Sequence, residues 1–109
     1  MEKNIIKEVC VVNFNQAKKA LESGANRLEL CFDMANDGIT PSYGIAKEIK
    51  EKLNIPVFCM IRPRGGNFVF DQNEINIMLS DIQIMIKNAK VDGIVIGCLF
   101  PKVYIYLFY

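Results

Sequence analysis

Apolar residues along the chain fall by turns into short continuous runs and helically spaced stripes. Ile5 to Val12 is a near-continuous apolar run broken by Lys7, Glu8 and Cys10, as expected of a strand covered on both faces. Asn13 and Gln16 then make a capping pair, Ala17, Ala20 and Leu21 recur at helical spacing, and Gly24 supplies the stop. Arg27 to Phe32 is a second strand, followed by a polar loop, Asp33 to Ile39, with the turn signal Asn36-Asp37-Gly38. Thr40-Pro41-Ser42 opens a second helix with Pro41 in its first turn. Ile45, Ile49 and Leu53 are its buried stripe, and Lys47, Glu48, Lys50, Glu51 and Lys52 its solvated face. Val57 to Ile61, bounded by Pro56 and Pro63, is a third strand. Asp71 and Glu74 cap a third helix whose apolar stripe runs Ile75, Met78, Leu79, Ile82, Met85, Ile86. Asp92-Gly93 leads into a fourth strand, Ile94 to Leu99. Such alternation with short connections predicts an α/β fold of about four βα units on parallel strands. Val103 to Tyr109 breaks the pattern: it is apolar and aromatic without charge, an aggregation liability if exposed and a candidate fifth strand.

Composition narrows the function. With 109 residues and 51% apolar content the chain has room for one globular domain. A net charge of +1 with interspersed signs lacks the basic stripe that nucleic acid requires. No apolar run is long enough to cross a bilayer and no charged leader precedes one, so the expected compartment is the cytoplasm. There Cys10, Cys31, Cys59 and Cys98 are read as thiols rather than a disulfide frame. The absence of histidine excludes a His base and a Cys/His zinc site.

Three groups of residues have candidate chemistry. After the third strand, Arg62-Pro63-Arg64-Gly65-Gly66-Asn67 places two guanidiniums beside paired glycines whose amides are free to turn toward a bound group. This is a candidate site for a small carboxylate or phosphate ligand, the alternative being that the arginines tie acidic strand ends together. The first two strands repeat a word, Glu8-Val9-Cys10 and Glu29-Leu30-Cys31, so each presents a carboxylate and a thiol on one face. Cys10 and Cys31 on adjacent strands suit a soft metal such as Cu(I), with Met60 as a third soft group; the alternative is two small buried hydrophobes. Glu8 and Glu29, if they share an interior with Arg62, supply an acid and a base, or they simply neutralise the arginine. Cys59 reads as helix-facing packing, and Met78 and Met85 as core.

The words Glu8-Val9-Cys10-Val11, Gly24-Ala25-Asn26-Arg27-Leu28-Glu29-Leu30-Cys31, Gly38-Ile39-Thr40-Pro41-Ser42 and Met60-Ile61-Arg62-Pro63-Arg64-Gly65-Gly66 occur in this order in the CutC family of copper homeostasis proteins. From about Ile5 to about Pro101 the chain resembles the amino-terminal half of such a protein. The resemblance implies part of a (β/α)8 TIM barrel, a copper homeostasis role in the cytoplasm, and Cys10 and Cys31 as the copper ligands. It leaves open whether the barrel is also an enzyme acting on a small anionic substrate held by Arg62, Arg64, Gly65 and Gly66.

This chain departs from the family where Asp37 replaces a second glycine and Asn67 an aspartate. After Pro101 it follows a different course, so residues 1–101 read as the half barrel and 102–109 as a divergent apolar tail of a truncated chain. The histidine and acidic residues expected in the second half are then missing. Four strands leave two open edges and an exposed interior face, so homo-oligomers and a non-functional remnant both enter as expectations.

Overall fold

The computed structural model describes residues 5–99. In chain order it has β1 (Glu8–Val11), α1 (Phe14–Glu22), β2 (Arg27–Leu30), a 3-10 turn (Met34–Asn36), α2 (Tyr43–Lys52), β3 (Val57–Ile61), α3 (Gln72–Ile84), which continues as a π-helical turn (Met85–Ala89), and β4 (Gly93–Ile96). The tail expected to form a fifth strand lies outside the described residues.

Local chemistry sets each boundary. The Asn13 side chain accepts from the Gln16 amide to start α1, while Gln16 Oε1 accepts from the Val12 amide on the strand side. Ser42 caps α2 by accepting from the Ile45 amide. Pro41 therefore precedes the cap and lies outside the helix, where its fixed φ sets the approach rather than the first turn. Asp71 and Glu74 close a reciprocal capping box on α3, satisfying two amides that the helix leaves open. Asp92 does more than turn the chain. Its carboxylate accepts from the Val57 amide at 2.8 Å and from Lys50 Nζ at 2.7 Å, pinning β3, α2 and the approach to β4 together.

The strands pair in parallel in the order β1-β2-β3-β4, with Cys10 opposite Glu29, Leu30 opposite Cys59 and Met60 opposite Val95. Right-handed crossovers in an unreversed order send every helix to one face of the sheet. On that face Leu28, Leu30, Val57, Cys59, Ile61 and Ile94 meet Ala17, Ala20, Ala46, Ile49, Met78 and Met85 in one core. Each large side chain there contributes about 1.5–3 kcal/mol by leaving water. Period two sends Glu8, Cys10, Glu29, Phe58, Met60 and Val95 to the opposite face, where all are half-buried or exposed. This is the interior surface of a barrel, open along the described strands.

The stripe of α3 is narrower than its apolar sequence suggests. Met78 and Met85 are buried and Ile75 and Ile82 pack against the core, whereas Leu79 and Ile86 are 47% and 43% exposed. An apolar helix buries only the arc that a neighbour covers, and Leu79 and Ile86 fall one position beyond it.

Candidate metal centre and its charged surroundings

The thiols meet at the seam between the first two strands. Cys10 is the third residue of β1; Cys31 lies just past β2, its amide donating to Val11 O at 3.0 Å. Their Sγ atoms are 3.0 Å apart and both cysteines are free. Cys31 is buried while Cys10 is exposed. Burial, then the adjoining Cys10 thiol, push the Cys31 pKa up, so a metal binding there displaces its proton.

Met60 approaches the same place from β3. Gly38, at φ +92°, passes so close that a Cβ on it would lie 2.9 Å from Met60 Sδ and 3.5 Å from the Cys31 Cβ. Only glycine combines that φ with that clearance. Among the described residues no three His, Cys, Asp or Glu side chains gather into a cation cage. What the fold collects is sulfur, the donor set for a soft, thiophilic metal.

The carboxylates take a different partner from the one expected. Glu8 pairs with Arg27 across β1 and β2, and the Arg27 guanidinium stacks over the Phe58 ring at 4.4 Å. Glu29 sits beside Glu8, and burial followed by that neighbour's charge holds its carboxyl above the ordinary range. Glu8 and Arg27 open their strands, at the end opposite the one where barrels place their sites, so their pairing reads as structural. The signal for Arg27 was available: it stands two residues before Glu29 and four before Cys31, on their face.

Arg62 does not join this cluster. It is 6% exposed, and its guanidinium donates to Asn36 O at 2.6 Å, Gly38 O at 3.0 Å and Gly66 O at 2.8 Å while stacking on Phe68. Its buried Nε–H finds no acceptor among the described residues. Arg64 pairs with Glu74 and donates to the carbonyls of Gly65, Asn67 and Val69. The loop presents carbonyls as much as amides: Gly65 and Gly66 serve as acceptors for the two arginines. In the loop expected to take an anion the two arginines are engaged as a pair of staples, one holding the loop after β2 to the loop after β3 and one holding that loop to α3. Their partners are mainly backbone oxygens rather than the acidic strand ends first considered.

Cys59 and Cys98 are buried within the apolar core, and burial pushes the Cys59 thiol up to about 12. No described helix is long and apolar enough to cross a membrane.

Comparison with known proteins joins these observations to a family. A sequence profile of the CutC family matches residues 5–107. A CutC family protein of Enterococcus faecalis is 47% identical over 98 residues, which cover 87% of this chain and 46% of that protein. A human copper homeostasis protein cutC homolog is 45% identical over 92 residues, covering 84% of this chain and 33% of the relative. In structure, the chain superposes on a crystal structure of a CutC protein from Streptococcus agalactiae with a TM-score of 0.81 and 39% identity, over 90% of this chain and 48% of that one. The chain thus spans less than half the length of each of these relatives.

Proposed function

The chain belongs to the CutC family, and on that premise we propose that it handles copper directly, binding Cu(I) through the thiolates of Cys10 and Cys31. The observation that carries this reading is the 3.0 Å approach of the two Sγ atoms, one cysteine buried and the other exposed. Two thiolates converging from adjacent strands favour Cu(I) over hard cations, and a small parting of the two sulfurs admits the metal between them. A cytoplasmic location fits, because two thiols in contact stay reduced only in a reducing compartment. The enzyme reading has less support: the guanidinium groups meant to hold an anionic substrate are engaged by the protein's own oxygens. The test is competition for Cu(I) between the reduced chain and a chromophoric chelator, repeated with Cys10→Ser/Cys31→Ser. Tight binding that the double variant loses supports the proposal; equal binding by both proteins refutes it.

A further inference from the structure

We propose that Met60 completes this centre as a third sulfur ligand, making it a trigonal site of two thiolates and one thioether. The inference rests on the copper reading above. Three separate features of the chain lead to it.

The first is register. Leu30 pairs with Cys59, so the next residues along, Cys31 just past β2 and Met60 in β3, stand abreast at the carboxyl ends of the strands. Cys10, opposite Glu29, lies on the same face one step below. The three sulfurs thus come from three consecutive strands on one side of the sheet.

The second is the position of the thioether. A Cβ placed on Gly38 would lie 2.9 Å from Met60 Sδ and 3.5 Å from the Cys31 Cβ, so the thioether sulfur and the thiol-bearing carbon lie close to one point. The other described methionines are placed differently: Met78 and Met85 lie in the helix-facing core and Met34 is exposed on the loop after β2. Met60 is half-buried on the thiol face, with three rotatable bonds to swing its sulfur toward a metal.

The third is charge. Two thiolates around one Cu(I) carry a net charge of −1, and Glu8 and Glu29 lie on the same face. A third anionic ligand would add repulsion in a partly desolvated place, whereas a thioether adds soft donation without charge.

The experiment uses the chain prepared with selenomethionine and loaded with Cu(I), read by X-ray absorption at the copper edge. Selenium scatters differently from sulfur, so a Met60 ligand appears as one selenium beside two sulfurs. The expected result is that pattern in the parent protein, its reduction to sulfur alone in Met60→Leu, and a loss of Cu(I) affinity of about tenfold to a hundredfold in that variant, the range known for removing a supporting group at a metal centre. Leucine keeps the side-chain volume and the fold is checked by circular dichroism; should the variant not fold, the parent spectrum still decides. Copper bound through the cysteines with no selenium neighbour overturns the role of Met60 and leaves the thiol site standing. A selenium neighbour that persists in Met60→Leu overturns it in favour of another methionine. Failure of the parent chain to bind Cu(I) overturns both proposals.

Discussion

Replacing Arg62 by methionine removes the guanidinium while keeping most of the aliphatic stem. Three hydrogen bonds from a charged donor are lost, to Asn36 O, Gly38 O and Gly66 O, together with the stacking on Phe68. Hydrogen bonds to a charged group contribute about 1.5–3 kcal/mol each, so the gross loss is of order 5–9 kcal/mol. Against it stands the desolvation of a guanidinium that is 6% exposed, which the methionine no longer suffers and which amounts to several kcal/mol. The net expectation is a destabilisation of about 3 kcal/mol, a large share of the roughly 5–15 kcal/mol typical of a folded domain. Urea unfolding followed by far-ultraviolet circular dichroism measures it. With a slope of about 1–3 kcal/mol/M the midpoint falls by roughly 1–3 M at unchanged slope. Arg62→Lys, which keeps the charge but not the planar fork, falls between the two proteins. A methionine variant within about 0.5 kcal/mol of the parent would refute the reasoning, because that is the range of a substitution at an ordinary surface position. A variant more stable than the parent would show that desolvation outweighs the three bonds.

Other expectations follow from the same contacts. Exposed Cys10 attacks the disulfide of dithiobisnitrobenzoate first, releasing one thionitrobenzoate, and Cys31 at 3.0 Å then displaces the second from the mixed disulfide to form a Cys10–Cys31 disulfide, about two equivalents in all with no adduct retained; a stable mixed disulfide seen by mass spectrometry would count against the contact. Cys59, buried and with its thiol pushed up to about 12, stays unmodified in the native protein and reacts after unfolding. Glu74 is held below its ordinary pKa by Arg64 and the Asp71 amide, so its contribution is present above the carboxylate range and is lost as pH falls through its lowered value. Glu74→Gln is then less stable than the parent at neutral pH and converges with it in acid. Glu29 is raised instead, so its charge opposes folding once pH exceeds its unfolded value, and Glu29→Gln gains stability at neutral pH that vanishes below that value; parallel stability curves would contradict either assignment. Gly38→Ala combines a strained φ with a 2.9 Å approach to Met60 Sδ, and loses about 1–3 kcal/mol by thermal or urea unfolding.

Much of the fold is legible because its determinants are local. Pro56 and Pro63 bracket β3, which runs Val57–Ile61 as read, and the partners of the Asn13, Ser42 and Asp71 caps lie three residues from them. The encounter of Cys10 with Cys31 follows from strand order and period two. The partners of Arg62 are not legible in the sequence because its acceptors are backbone oxygens, two of them more than twenty residues back, and a carbonyl leaves no mark in sequence. Leu79 and Ile86 failed for another reason: a helix sequence shows which positions are apolar, while the covered arc depends on what packs beside it. The end of the strand at which Glu8 stands depends on where β1 begins, and Glu8 is its first residue.

Among the described residues β1 is paired on one side only, through β2, and the two thiols sit at that seam. Edge strands open most readily, at free energies well below global unfolding, so amides of β1 exchange with solvent by brief detachment. Under the proposed copper binding, an atom held by both sulfurs must be released from one of them each time the strand lifts. Retention of the proposed copper and fraying of the strand are then one equilibrium seen from two sides: whatever loosens β1 hastens departure of the metal, and occupancy slows deuterium uptake along β1.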